Sequence, residues 1–495
     1  MTAETIIKSD KIESVFLKSK ICLTCLIKIS GNDEMELTKH ANHNLVEDNM
    51  TADNEREFLK LQEENKKTGS VFAYNPHILD EIQQDLSQTH VGDNKNKVLV
   101  VTLLASSMRR GHEQALIIQK QSSAGGSDLQ NACLAYFDNK ITLTRMTGAY
   151  LDRSKMDYNG KILALGEMSG FDSTSSSLRQ KLSEGKTELA TTDKDEKGRI
   201  ITDILKTEGR PSFITTTTSE EIHQEFENRC WILSIDESSN QTKAVNRRQF
   251  SKDTFEYKEW SPRNEIKALF NSGTLKGIKV VNPFATLLGE NFPCDNITAR
   301  RDSRRFAELV TTITWIYQYQ RIKIKRGGHT FVLVAYEDLR NAIYFGQDAL
   351  KSTLNKLNEK TESVIGYMKA CQQKEFFTRN EIGGALNIPY ATMKRILTKL
   401  VDRSFIEVNE ENRIWKYKLS NKSMIEGIAL GSEKAFEESA LEYLARNVPN
   451  FEEIIIPTNY ESMKGVDASI VESLLSFTEM VTTESDNISG IISMP

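Results

Sequence analysis

The octapeptide Lys120-Gln121-Ser122-Ser123-Ala124-Gly125-Gly126-Ser127 follows the apolar run Ala115–Gln119. It precedes a segment whose apolar residues Leu129, Ala132, Cys133 and Tyr136 recur at i, i+3, i+4 and i+7. A small-residue loop between a buried strand and an amphipathic helix lets backbone N–H groups turn toward a phosphate, and the helix dipole adds its attraction. Of the pattern GxxxxGK[ST], only Gly125 and Ser127 are matched, because Lys120 stands at the first Gly and Gly126 at the Lys. By itself the loop is equally a Ser/Gly-rich strand-to-helix turn. Further on, the apolar stretch 161–165 ends in Gly166-Glu167. That puts a carboxylate where a phosphoryl-transfer site keeps the group that polarises water, while Gly166 stands where an Mg²⁺-holding Asp is usual. Residues 211–218 form a β-branched run ending in hydroxyls, of which Thr216 and Thr217 are suited to sense a γ-phosphate or hold a water. Arg229 lies just ahead of a further strand pattern, residues 230–235.

Three other groups carry chemical potential. Residues 187–192 and 199–202 flank a polar tip and predict a β-hairpin in which Lys194 and Lys197 are the cations, offset by Asp193, Asp195 and Glu196. Thr378-Arg379-Asn380-Glu381 is a capping box, Asn387-Ile388-Pro389 makes a turn, and Met393, Ile396, Leu397 and Leu400 form one helical face. Tyr390, Thr392, Lys394 and Arg395 lie on the other face, and strands 405–408 and 414–419 follow, so the segment predicts a winged helix-turn-helix with those four residues toward DNA. Cys22 and Cys25 with His40 and His43 approach zinc-finger spacing, but the His pair is one residue tighter than usual, and a plain strand over residues 21–29 accounts for the same cysteines.

The elements that would position these residues define an α/β protein. Residues 1–75 are a polar arm, expected to be partly disordered. Residues 76–250 alternate strand and helix patterns, 251–360 read as a helical lid and linker in which Arg300, Arg301, Arg304 and Arg305 form a basic cluster at the start of one helix, 361–420 are the winged unit, and 421–495 are an extension of unassigned role. A chain of 495 residues with 39% hydrophobic and 27% charged residues has ample material for a folded core. The net charge of -5 excludes a uniform basic coat, so DNA contact must be local. No apolar run reaches the roughly 20 residues of a membrane span, and no leader pattern opens the chain. Six cysteines are too few for a disulfide framework, which points to the cytoplasm.

The order of these elements resembles the AAA+ ATPase module at the C-terminal end of primase-type and helicase-type replication proteins of phages, plasmids and other mobile elements. The resemblance is carried by Asn96-Lys97, Ser122-Ser123-Ala124-Gly125, residues 161–164 with Glu167, and Leu182-Ser183-Glu184-Gly185. It continues through residues 194–199, Asn228-Arg229-Cys230 with Asp236-Glu237-Ser238 and Gln241-Thr242, Arg300-Arg301-Asp302 and Tyr319-Gln320-Arg321. It implies a P-loop AAA+ core with a parallel sheet, a helical lid and ATP with Mg²⁺ as cofactor. The partners it implies are DNA, further copies of the chain in a ring, and a primase or other replication proteins, with no membrane. Residues Ser122, Ser123, Gly125, Gly126 and Ser127 would then cradle phosphates with Ser127 reaching Mg²⁺, Glu167 would activate water, and Thr216 or Thr217 would be the sensor. Arg229 would be an arginine finger for a neighbouring subunit, and Lys194 and Lys197 would grip DNA in the ring channel. Gly126 in place of the family's Lys makes this a degenerate P-loop, for which weak or absent hydrolysis is expected, with Lys120 as a partial substitute. Two readings follow: an ATP-dependent helicase or translocase, or a non-hydrolysing DNA-binding, loader or initiator protein acting through the winged helix.

Overall fold

The computed structural model describes residues 20–22, 27–29, 45–47, 52–120, 125–154, 156–168, 171–194, 200–219, 222–294, 299–355, 359–371, 374–402, 405–411, 414–420 and 432–484. At its centre is a five-stranded parallel sheet of β4 (Ala115–Gln119), β5 (Lys140–Leu143), β6 (Ile162–Leu165), β9 (Ser212–Thr217) and β10 (Trp231–Ser234), in the order β10-β4-β9-β6-β5. Its central strands read as unbroken apolar runs because both faces are covered, as parallel sheets require. Alternate residues serve different cores. Leu116, Ile118, Ile162, Ala164, Ile214, Trp231 and Leu233 point into one, and Ala115, Ile117, Leu163, Leu165, Phe213 and Ile232 into the other.

The first core contains α2 (Ile78–Leu86), α3 (Asn94–Ala105) and α4 (Gly126–Leu134). Residues 97–105 of α3 are buried all round, the pattern of a helix interior to a layered domain. The second core holds α5 (Gly148–Arg153), α6 (Phe171–Glu184) and α7 (Gln224–Glu227). The crossover after β4 therefore covers one face of the sheet, and those after β5, β6 and β9 cover the other. Where adjacent strands send their loops to opposite faces, a crevice opens at the carboxyl ends, here between β4 and β9.

Between α6 and β9 stands the expected hairpin, β7 (Lys186–Lys194) paired antiparallel with β8 (Ile200–Glu208) from Lys186↔Glu208 to Lys194↔Ile200. Lys197 and the side chain of Lys194 lie outside the described residues. The N-terminal arm contains β1 (Lys20–Cys22), β2 (Ile27–Ile29) and β3 (Leu45–Glu47) in a three-stranded antiparallel sheet, followed by α1 (Ala52–Phe72). Residues 21–29 thus belong to two short paired strands rather than one.

Helix α8 (Ser239–Ser251) closes the stretch read as the core, and the stretch read as a helical lid carries α9 (Asn264–Asn271), α10 (Ala285–Asn291), α11 (Ala299–Ile316) and α12 (Tyr336–Asn355). It also contributes β11 (Lys279–Val281), β12 (Lys323–Arg326) and β13 (His329–Leu333) to a second sheet, β11-β13-β12-β17, whose last strand, β17 (Glu453–Ile455), comes from the C-terminal extension. Helices α11 and α12 pack into the first core, together with α16 (Glu433–Asn447) and α17 (Val466–Glu484) of the extension. Asp467 of α17 accepts hydrogen bonds from the N–H groups of Tyr336 (2.7 Å) and Glu337 (3.1 Å), capping α12. Strands of three to five residues are too short for alternation to register in sequence, so this sheet leaves no period there.

Residues of α13 (Glu359–Ala370), α14 (Arg379–Ala385) and α15 (Tyr390–Asp402) share a separate third core with the sheet β14-β16-β15. Its strands are β14 (Phe377–Thr378), β15 (Ile406–Glu411) and β16 (Ile414–Leu419). The capping box is formed: Thr378 Oγ1 accepts from Glu381 N (3.4 Å), and the Glu381 carboxylate accepts from Thr378 N (2.8 Å). Asn387 supplies the left-handed residue of the turn, at φ 52°. Among the described residues, no helix is long and apolar enough to cross a membrane.

Candidate active site

At the carboxyl edge of the sheet, Lys120 leaves β4 with its N–H donated to Thr217 O (3.0 Å), and its Nζ donates to Ser127 Oγ (2.9 Å) at the start of α4. The ammonium is thereby held over the first turn of a helix whose free N–H groups already favour an anion. Gly125, at φ 89°, provides the left-handed residue that turns the loop into α4. A Cβ on Gly126 would meet Lys120 Cδ at 2.7 Å, Ile235 Cδ1 at 3.1 Å and Ile118 Cγ2 at 3.2 Å. The missing side chain at 126 is therefore the space through which Lys120 reaches Ser127. Ser122 and Ser123 lie outside the described residues.

Glu167 lies at the same carboxyl edge of the sheet, exposed, two residues beyond β6, which β9 separates from β4. Its backbone is fixed from β9, since Met168 N donates to Thr216 O (3.0 Å) and Thr216 Oγ1 donates to Gly166 O (2.7 Å). The Thr216 hydroxyl is thus committed to positioning the Glu167 loop. Thr217 Oγ1 accepts from Ser219 N (3.2 Å), and Thr218, which the sequence did not single out, donates to Glu167 Oε1 at 3.4 Å. Helix α4 is tied to the same edge by Gln130 Nε2, which donates to Leu165 O (2.8 Å).

The segment between α2 and α3 closes over the start of α4. His90 is buried between two carboxylates, with Nδ1 2.8 Å from Asp128 Oδ2 and Nε2 3.1 Å from Asp93 Oδ2. Two ionised carboxylates can accept from both ring nitrogens only when the ring is protonated, so the geometry favours the imidazolium form. Burial works against that charge, but the bonds to Asp128 and Asp93 outweigh it and hold the His90 pKa above its ordinary value. Asp93 sits in the left-handed region at φ 49°, and its Oδ1 accepts from Asn96 Nδ2 (3.3 Å) and Asp236 N (3.2 Å). Asn96 also donates to Ser234 O (2.9 Å), binding α3 to the end of β10.

Arg229 lies at the opposite, amino edge. Its Nε donates to Ser183 Oγ (2.6 Å) and a second nitrogen donates to Glu225 O. It shares a cleft of about 440 Å³ with Arg210, Arg300, Arg301, Arg304 and Glu113. Burial, then the like charge of Arg301, lowers the pKa of Arg229, and burial with a contribution from Arg304 lowers that of Arg210. Glu308 also lines the cleft and is engaged by His112 Nδ1 at 2.5 Å. Arg305 turns inward to Asp302 and the Cys230 carbonyl. The basic cluster that opens α11 therefore joins Arg229, not the chain's own loop. Five strand residues at about 3.3 Å each separate the two edges by about 16 Å, beyond the reach of any of these arginines.

In the C-terminal unit, residues 359–420 built on the third core, Tyr390, Lys394 and Arg395 are exposed and Thr392 is half-buried, opposite the buried Met393, Ile396, Leu397 and Leu400. Cys22 ends β1, and Cys25, His40 and His43 lie outside the described residues; among those described, no three His, Cys, Asp or Glu side chains are grouped to hold a metal. Compared with known proteins, the chain matches no protein-family model and no curated protein.

Proposed function

We propose that the chain is an oligomeric, ATP-dependent DNA motor of the AAA+ helicase or translocase kind, belonging to DNA replication or a mobile element. The observation that carries the reading is the Lys120 Nζ contact with Ser127 Oγ, which returns a cation to a phosphate loop whose usual Lys position is Gly126. The donor set fits a nucleoside triphosphate: an ammonium, a helix N-terminus, the Ser127 hydroxyl and, across the crevice, the Glu167 carboxylate. Lys120 would neutralise charge on the β- and γ-phosphates, and Ser127 would offer the protein oxygen for Mg²⁺. Glu167, steered by Thr216 and Thr218, would orient water and take its proton. Bound Mg²⁺ would supply further charge neutralisation at the transferring phosphoryl group.

Support for oligomeric action is the amino-edge cleft, where Arg229, Arg210, Arg300, Arg301 and Arg304 face one space out of reach of the chain's own loop. Its natural complement is the polyphosphate bound by a neighbouring copy, with Arg229 as the finger. The β7–β8 hairpin and the C-terminal unit, read as a winged helix, would supply the DNA contacts through Lys194, Lys197, Tyr390, Thr392, Lys394 and Arg395. A second reading, a nucleotide-binding loader or initiator without turnover, is favoured by Gly126 and by Gly166, which leaves the site without the usual Mg²⁺-holding Asp.

Steady-state ATP hydrolysis with and without DNA decides between them. The motor requires DNA-stimulated turnover that falls at least about 10²-fold in Glu167→Gln and about 10³-fold in Arg229→Ala. Wild-type turnover no higher than that of the two variants refutes it and leaves the second reading.

A further inference from the structure

We propose that the C-terminal unit carries a stacking platform for unpaired nucleotides, built on Trp415 of β16 and Tyr390 at the start of α15, beside the face of α15 expected to read duplex DNA. The inference rests on the reading of the chain as a DNA-acting protein and adds the form of DNA this unit holds. Along β16, Tyr417 is buried in the third core and Leu419 packs against it. Trp415 shares their face two residues before Tyr417, about 7 Å along the strand, and runs past the edge of that core. It is 51% exposed, and its cross-strand neighbour is the acidic Glu410, whereas Tyr417 lies opposite Val408. Tyr390 is 64% exposed.

Arg379 joins the two aromatic positions. Its guanidinium carbon lies 4.8 Å from the centre of the Tyr390 ring, and the group donates to Tyr390 Oη (2.7 Å) and Tyr417 Oη (3.4 Å). Tyr417, Arg379 and Tyr390 are thus in direct contact, and Trp415 extends the strand face of Tyr417 by one further position, with Trp415 and Tyr390 open to solvent. Two large aromatic side chains left exposed in this way forfeit the stabilisation that burial would bring, which asks for a partner. Residues 361–420 contain ten Lys and Arg against seven Asp and Glu, a net of +3 in a chain of net -5, so the partner favoured by charge is an anion. Bases inside a duplex already have both faces covered, whereas unpaired bases present a π-face to any aromatic ring, and arginine beside the ring strengthens the contact.

Intrinsic fluorescence tests this on the full chain. Trp231 and Trp315 are buried and Trp260 is half-buried, leaving Trp415 as the exposed reporter. Titration with an oligothymidylate is expected to quench emission, and a duplex of equal length is expected not to. By anisotropy of end-labelled DNA, which does not depend on the tryptophan, Trp415→Ala should weaken single-strand binding by about 5- to 150-fold, with duplex binding within about twofold and Trp415→Phe close to wild type. Absence of single-strand quenching, the result if these side chains dock a protein instead, overturns the proposal. So does a Trp415→Ala loss equal for both DNA forms, or Trp415→Phe as weak as Trp415→Ala. ATP turnover measured in parallel separates the two readings: a chain that never hydrolyses ATP yet shows the single-strand effect loses the motor and keeps the platform.

Discussion

If Lys120 supplies the cation of the phosphate loop, replacing it should weaken nucleotide binding far more than it weakens the fold. Among the described residues its ammonium donates to Ser127 Oγ at 2.9 Å, and the side chain is half-buried, so Lys120→Ala removes little packing. A cation about 4 Å from a phosphate oxygen contributes about 4 kcal/mol at an effective dielectric of 20 and about 1 kcal/mol in bulk water. A half-buried group at a loop rim lies between these limits, which translates into a loss of about 10- to 100-fold in affinity for Mg·ATP. Calorimetric titration of wild type, Lys120→Ala and Lys120→Arg measures it, and the nucleotide-free melting temperature serves as the fold control. The geometry adds a second arm. A Cβ at 126 meets Lys120 Cδ at 2.7 Å, so Gly126→Lys in the native background forces the two side chains to compete. With Lys120→Ala in place, only Ile235 and Ile118 have to give by a few tenths of an ångström, and Gly126→Lys should restore much of the lost affinity. Wild-type affinity in Lys120→Ala refutes the reasoning, as does a double variant no tighter than Lys120→Ala alone.

Three shorter predictions accompany it. Because the folded pKa of His90 is raised, the bridge it makes to Asp128 and Asp93 contributes fully below the unfolded value of 6.5 and is lost as pH rises through the folded one. The melting-temperature gap between wild type and His90→Gln should therefore be widest in mild acid and close toward alkaline pH, and a gap independent of pH contradicts an imidazolium at this position. Asp467→Ala should cost about 1–2 kcal/mol in urea unfolding, the loss of a side-chain cap on α12, and a variant as stable as wild type would show that the Tyr336 and Glu337 N–H groups find other partners. Arg229→Ala should leave ATP affinity at the chain's own loop unchanged, since the two lie about 16 Å apart across the sheet, and a matching loss of affinity would place the finger in cis.

The parts of the fold legible in the sequence are those whose local pattern is also their tertiary role. Strands β4, β6 and β9 are apolar runs because both faces of the sheet are covered, and α14 and α15 announce themselves by a capping box and an amphipathic face. The second sheet is made of strands too short to show a period, and one of them arrives from residues 453–455, more than a hundred positions downstream of its partner at 323–326. The same division runs through the candidate site. Gly125, Ser127, Glu167 and Thr217 fall at strand ends or loop positions that spacing reveals, whereas Thr218 depends on a side-chain direction that it does not. Arg300, Arg301 and Arg304 open an amphipathic helix, a pattern that a lid helix shares with any helix whose basic face is solvated. Their meeting with Arg229 and Arg210 across the amino edge is set by how α11 packs on the first core, a contact between distant segments. That placement changes what the cluster can do. Several guanidinium groups around one cleft repel one another; burial first, and like charge after it, depresses the pKa values of Arg229 and Arg210, while Glu113 in the same cleft offsets part of the charge and Glu308 is engaged by His112. An anion entering the cleft relieves that repulsion, and the chain's own loop cannot present one there. On the proposed reading, nucleotide bound to one copy and the arginine cleft of the next would be two halves of a single electrostatic contact, and assembly would be coupled to nucleotide occupancy.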